Sequence, residues 1–203
     1  MDVERYVDPA HPQSWSRQMV SLLRAGHYRE GYEVLARHVP FVENMLRPYA
    51  ECLAGRENAW TKLHRAMVKY LDDGRPLRVL DVGCAIGCHA IELARRGHEA
   101  WGIDVLPAMI ERGRELAGSL GLSNRVHLLE GDVRHLERYF EEGFFDAVVA
   151  CDIVEHLDDE ALRQMLAGLR RVMRPGGRLV VQTSPGRWYY WFEPRRWKLL
   201  AVL

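Results

Sequence analysis

Two aspartates, Asp81 and Asp104, close two short apolar runs, VLDV and WGID, and a stretch of small residues, Gly83 to Gly87, lies between them. A carboxylate at the end of a strand that is otherwise apolar is costly to bury unless a donor meets it. The two oxygens of Asp104 suit two vicinal hydroxyls. The charge of Asp81 repels a pyrophosphate and suits an ammonium group, directly or through a water. Gly83 and Gly87 mark a turn where backbone can approach a ligand. Their spacing is not GxGxxG, the pattern that sets a dinucleotide's pyrophosphate on a helix N-terminus. A nucleoside joined to a zwitterionic amino acid therefore meets both carboxylates better than NAD does.

Further chemistry-bearing residues follow the next two apolar runs. Asp132 ends HLLEGD, where a carboxylate can read an exocyclic amine or cap a turn. After FDAVVA come Cys151, Asp152, Glu155 and His156. His156 has the side chain suited to proton removal near neutral pH, and it equally suits a hydrogen-bonded role steadying the loop. Asp152 and Glu155 could orient a cationic acceptor, and acids here can also cap the helix that follows. Cys84 and Cys88 are four apart with no third ligand in register, so the reading assigns no metal.

These residues need strands and helices to hold them. Leu77 to Asp104 reads as strand, turn, helix and strand. Leu106 to Leu120, with Pro107 in its first turn and Met109, Ile110, Leu116 and Ala117 inward, predicts a second helix. Val126 to Leu129 is a third strand and Phe145 to Ala150 a fourth, apolar enough for the middle of a parallel sheet. A helix over Asp159 to Met173 has Leu162, Met165, Leu166, Leu169 and Val172 inward, is stopped by RPGG, and leads to a fifth strand, RLVVQT. A helical preface comes first. It comprises a helix from Ser14 to about Ala25, a second over Glu30 to Val39, a third begun by Pro40, and Glu57 to Leu71, with Trp60, Leu63, Met67 and Tyr70 at helical spacing. The preface either packs on the sheet or forms a lid, with Trp15 and Tyr28 candidates for its wall. A lid would exclude water and hold an acceptor in line.

Five stretches come in a familiar order: VLDVGCAIG (Val79 to Gly87), GID (Gly102 to Asp104), EGDV (Glu130 to Val133), FDAVVACDIVEHL (Phe145 to Leu157) and RPGGRLVV (Arg174 to Val181). On them the chain resembles the class I S-adenosylmethionine-dependent methyltransferases, in the broad group with the ubiquinone and menaquinone biosynthesis and small-molecule enzymes. Ala85 stands where the family usually has a glycine. The resemblance implies an α/β, Rossmann-like three-layer sandwich with a mainly parallel sheet. It also implies S-adenosylmethionine as cofactor, with S-adenosylhomocysteine as product. The residues carried over to the cofactor are Asp81, Gly83, Cys84, Ala85, Gly87, Asp104, Val105, Asp132, Val133, Cys151 and Asp152, with Asp132 at the adenine amino group and Cys151 or Asp152 beside the methionine part. His156 is the candidate catalytic residue.

Lys plus Arg and Asp plus Glu are each 28 in 203 residues, so no global basic field calls for nucleic acid. No run approaches the roughly 18 apolar residues of a membrane span. Four cysteines without zinc-finger spacing and an N-terminus lacking a signal peptide's apolar core favour a reducing, cytoplasmic setting. The expected layout is a helical extension over 1–75 and a methyltransferase core over 76–203. No sixth or seventh strand is evident after RLVVQT, which leaves strand five as an open edge. The aromatics Trp188 to Phe192 folding back, a second copy of the chain in a homodimer, or a longer protein would cover it. The expected activity is methyl transfer to an oxygen or carbon of a small-molecule acceptor. The alternatives are a noncatalytic adenosylmethionine-binding module and an NAD-binding oxidoreductase.

Overall fold

The computed structural model describes residues 25–38, 56–71, 74–183 and 199–202, with a few isolated positions between 18 and 51. The readings of a helix beginning at Ser14, of Trp15, of a helix begun by Pro40 and of the aromatics at 188–192 lie outside the described residues, as does the side chain of Tyr28.

Among the described residues, α1 (Tyr28–His38) and α2 (Ala59–Leu71) precede the sheet. Strand β1 (Arg78–Val82) leads through α3 (Cys88–Arg95) to β2 (Glu99–Asp104), and α4 (Pro107–Ser119) leads to β3 (Val126–Glu130). A 3-10 turn over Val133–Arg138 connects to β4 (Phe145–Cys151). Then α5 (Asp159–Val172) connects to β5 (Met173–Thr183). The spatial order is β3-β2-β1-β4-β5-β6, with β1 to β5 all parallel. The chain builds outward from β1 to β3, then returns to lay β4 on the other side of β1. The order reverses between β1 and β4, and the crevice at the carboxyl ends of these strands is where open α/β sheets bind ligands.

Each face of the sheet is covered. On one face Val79, Ala147, Val149 and Val180 meet Met67 and Leu71 of α2, Ile91 of α3 and Ile110 of α4. On the other, Leu80, Val82, Val148 and Ala150 meet Leu136 of the 3-10 turn and Met165, Leu169 and Val172 of α5. The period-2 alternation of buried strands thus feeds both cores.

Several boundaries and faces differ from the sequence reading. The buried stripe of α2 is His64, Met67, Val68 and Leu71, whereas Tyr70 is 45% exposed. The helix is rotated so that Met67 and Leu71, not Tyr70, reach the sheet. Leu166 of α5 is likewise exposed, being on the flank of the stripe that Ala161, Met165, Leu169 and Val172 define. RPGG does not separate helix from strand. The strand begins at Met173, paired with Phe145, and Arg174 to Gly177 bulge out before pairing resumes at Arg178 opposite Ala147. Nor is the β5 edge wholly open, because β6 (Leu199–Val202) pairs antiparallel along Val180 to Thr183. A covering partner copy is not required over those four residues.

Candidate functional site

Asp81 sits one residue before the end of β1, 2% exposed, on the α3 side of the sheet. One of its oxygens accepts from the backbone N–H of Ala90, in the first turn of α3, while Oδ2 has no hydrogen-bond partner. The helix supplies that N–H because its own N-cap is Gly87, which has no side chain to cap it. Burial, aided by the charge of Asp104, pushes the Asp81 carboxyl up to about 8 against the single opposing hydrogen bond. A fully buried acceptor without a donor is a cost that a neighbouring cation would offset.

The loop between β1 and α3 is held from β2. The N–H groups of Gly83 and Cys84 donate to the Ile103 carbonyl at 2.9 and 3.1 Å, and Ala85 N–H donates to Asp104 Oδ2 at 2.9 Å. Asp104 Oδ1 accepts from Leu106 N–H at 3.0 Å, and Val105 contributes a further backbone hydrogen bond to the same carboxylate. Three donors on about four lone-pair sites leave Asp104 one site for a ligand hydroxyl. Burial raises its pKa, against the opposing backbone donors and the nearby His156.

Gly83, Ala85 and Gly87 all have positive φ, at 67°, 49° and 71°. Two are glycines that take the left-handed conformation freely. Ala85 adopts it with a Cβ, at a cost of about 1 kcal/mol. The space beside Gly83 is filled by Ile153 and that beside Gly87 by Leu128, so a side chain at either would collide with the protein. What these glycines supply is the turn and its close packing on β2, β3 and the loop after β4. Cys84 turns its thiol into the core against Gly102, where burial and the charges of Asp81 and Asp104 hold it protonated. It can meet a ligand only through its backbone.

Asp132 caps the 3-10 turn, accepting from Arg134 N–H, and its two oxygens are gripped by the Arg134 guanidinium at 2.6 to 3.0 Å. These hydrogen bonds and the guanidinium charge outweigh burial and lower its pKa. Val133, the first residue of the turn, is buried beneath it. An amine reaching Asp132 would therefore share the carboxylate with Arg134, a residue that the sequence reading did not single out although it lies two positions on. The preface approaches here too. The turn at Gly26 passes beside the Arg134 guanidinium, and Arg29 of α1 pairs with Glu130 at the end of β3 at 2.6 Å.

At the exit of β4, Cys151 Sγ lies 3.6 Å from Met67 Sδ of α2. Asp152 follows with φ 50°, left-handed for a non-glycine residue, its N–H donating to the Gln182 carbonyl at 2.8 Å and its Oδ1 accepting from Gln182 Nε2 at 3.0 Å. Glu155 accepts from Thr183 Oγ1 at 2.9 Å, which ties the loop after β4 to the end of β5. His156 is exposed in the turn Val154–His156, close enough to Asp104 for its charge to act on that carboxylate. Capping of α5 falls to Asp158, which accepts from Glu160 and Ala161. Gln182 also escaped the sequence reading. Its signal was a single amide in the apolar run LVVQT.

One edge of a parallel sheet thus gathers a buried acid with an unpaired oxygen, a second acid beside the same loop, and a left-handed turn between them. Residues 79–177 match the model of a methyltransferase domain. A probable chloroplastic tocopherol O-methyltransferase of Oryza sativa is 40% identical over 110 residues, 54% of this chain and 29% of that one. The ubiquinone biosynthesis O-methyltransferase of Rickettsia conorii is 26% identical over 163 residues, covering 77% of this chain and 54% of that one. Among solved structures, the PH0226 protein of Pyrococcus horikoshii superposes with a TM-score of 0.58 at 29% identity, over 66% of this chain and 62% of that one. Residues 79–177 are a methyltransferase domain of the class I S-adenosylmethionine-dependent kind. The chain spans about a third to a half of the length of these two curated relatives.

Proposed function

We propose that the protein transfers a methyl group from S-adenosylmethionine to an oxygen or carbon of a small-molecule acceptor. The observation that carries this is the buried Oδ2 of Asp81, an acceptor without a donor, in a carboxyl that an arriving ammonium would ionise. The residues fit the cofactor in kind. Asp81 suits the ammonium, Asp104 the ribose hydroxyls, and Asp132 with Val133 the adenine edge, while Cys151 and Asp152 flank the methionine part. Bound there, S-adenosylmethionine supplies a methyl group on a sulfonium sulfur, and the acceptor's lone pair or carbanion takes it as the carbon–sulfur bond breaks.

The chain's own part is to hold the acceptor in line, exclude water and receive the acceptor's proton. His156, exposed at the mouth and near Asp104, is the group we assign to that proton. Residues 1–75 are read as a helical extension whose α1 and α2 wall the site, supported by the Arg29–Glu130 and Met67–Cys151 contacts, and 76–203 as the core. We place the protein in a reducing, cytoplasmic setting because its four cysteines show no zinc-finger spacing. Among the described residues no helix is long and apolar enough to cross a membrane.

Calorimetric titration with S-adenosylhomocysteine, with NADH as control, tests the cofactor. Saturable binding of the former alone supports the reading, and binding of NADH alone overturns it. With an acceptor found by screening, His156→Gln should slow turnover at least tenfold and leave S-adenosylhomocysteine affinity within twofold. Unchanged turnover across pH would return His156 to a structural role. A noncatalytic binding module is the second reading, favoured by the strained Ala85 at a family glycine position.

A further inference from the structure

Gln182 is the last residue but one of β5, and none of its surface is exposed. Its Nε2 donates to Asp152 Oδ1 at 3.0 Å, and its carbonyl accepts the Asp152 N–H at 2.8 Å. A single residue thus grips Asp152 by main chain and side chain together, at the point where the backbone leaves β4 in a left-handed conformation. The amide cannot turn over to ease its own bonding, because that would set its oxygen against a carboxylate oxygen. Its Oε1 is consequently left buried without a partner. A leucine would fill the same space without that cost, so packing does not account for an amide here. The register also places it. Asp81, Val149 and Val180 share one row, and Cys151 and Gln182 share a row further along on the same face. The clamp stands beyond the sheet's apolar interior, on the face that carries Asp81.

We propose that Gln182 is a positioning residue that holds the Asp152 carboxylate against the amino-acid end of S-adenosylmethionine. The proposal rests on the cofactor reading above. Through Asp152, Gln182 contributes to recognition of the ligand's ammonium and not of its nucleoside.

Two ligands separate these ends: S-adenosylhomocysteine carries the amino acid, and 5′-methylthioadenosine lacks it. Gln182→Met keeps the length and removes both the donor and the unpaired oxygen. Calorimetric titration of the full chain should show S-adenosylhomocysteine binding weakened about tenfold and methylthioadenosine binding unchanged within twofold. Asp152→Asn should show the same pattern. The double variant should be no worse than Asp152→Asn alone, because Gln182 acts only through the charge that this change removes. Equal loss for both ligands, or none for either, would overturn the assignment, as would additive losses in the double variant. If Gln182→Met fails to fold, Gln182→Asn, too short to reach Asp152, gives the same reading. Wild-type protein that binds neither ligand would overturn the cofactor reading itself, and this proposal with it.

Discussion

The sheet has one kind of carboxylate at the start of β4 and another at the carboxyl ends of β1 and β2. Asp146, second in the strand, is 8% exposed and is met by three donors, two of them guanidinium groups. Arg174 Nε at 2.8 Å and Arg75 at 3.0 Å share one oxygen, while the Arg78 N–H takes the other at 2.8 Å. Those bonds outweigh its burial and lower its pKa. At the carboxyl ends of the strands the balance reverses. Asp81 has one donor, an oxygen with none, and a pKa raised by burial to about 8. Asp104 is raised as well, despite its backbone donors. No arginine is in hydrogen-bonding or ion-pair contact with either acid among the described residues. One sheet therefore spends its cations where they stabilise the fold and leaves Asp81 and Asp104 without an arginine where a cationic, hydroxylated ligand would complete them.

The sharpest way to break this contrast is to exchange the consequences. Asp104→Ala should weaken S-adenosylhomocysteine binding at least a hundredfold, about 2.7 kcal/mol, since it removes the hydroxyl acceptor and releases the Ala85 N–H together. Asp146→Ala should leave that affinity within twofold and lower unfolding free energy by about 2 kcal/mol, chiefly because the Arg78 N–H loses its partner. Its arginines are 38–48% exposed, so the ion pairs themselves add little. A calorimeter and a urea titration on each variant decide the matter. If Asp146→Ala cost binding, or Asp104→Ala cost stability alone, the two ends would not differ in the way described.

The contrast also has a pH signature. In the unfolded chain an aspartate such as Asp81 ionises near 3.8, whereas the folded one holds its proton to about 8. The folded state thus binds more protons between these values, and stability falls as pH rises, by up to about 1.4 kcal/mol per pH unit. His64 opposes it at the acid end. Stacked on His89 with the two Nδ1 atoms 3.1 Å apart, it is driven by burial from 6.5 to about 2. The unfolded chain binds that proton below 6.5 and the folded chain does not, so stability rises with pH up to there. The two slopes cancel between 3.8 and 6.5, and of the two only the Asp81 fall remains from 6.5 to 8. Urea titrations at pH 6.5 and 8.0 should show wild-type protein losing stability across that interval and Asp81→Asn losing much less. An equal loss in both would mean that Asp81 is already ionised.

Much of this architecture is legible in the chain. Alternating buried runs and Pro107 at a helix start give the five parallel strands and the helices between them, because each signal is local. The site acids Asp81 and Asp104 are legible for the same reason: a charge at the end of an apolar strand is conspicuous. What escaped depends on distant partners. Gln182 acquires meaning only when β5 is laid beside β4, and the Arg134 grip on Asp132 depends on how the 3-10 turn folds back. The buried face of α2 follows from the sheet it lies on, which is why Tyr70 and Leu63 looked as good as His64 and Val68. The four-residue β6 carries too little sequence to declare itself beside a strand 16 residues earlier.

The smallest expected effect falls on the loop that joins the two site acids. Ala85 is held at φ 49° by its N–H bond to Asp104 and by the tight turns at Gly83 and Gly87 on either side. A Cβ in that region costs about 1 kcal/mol relative to a residue that adopts it freely, but glycine also gains entropy in the unfolded chain, which takes part of the benefit back. Ala85→Gly should therefore raise stability by less than about 1 kcal/mol, a shift of a few degrees in Tm at most. Because the Asp104 bond to the backbone N–H survives, S-adenosylhomocysteine affinity should stay within threefold. A gain in affinity of tenfold or more would mean that the alanine distorts the loop itself, and that this chain's site is weaker than its family's by that one methyl group. A loss of stability would mean that the methyl's packing on the 7% exposed surface of Ala85 outweighs the strain, and that the loop is built for alanine.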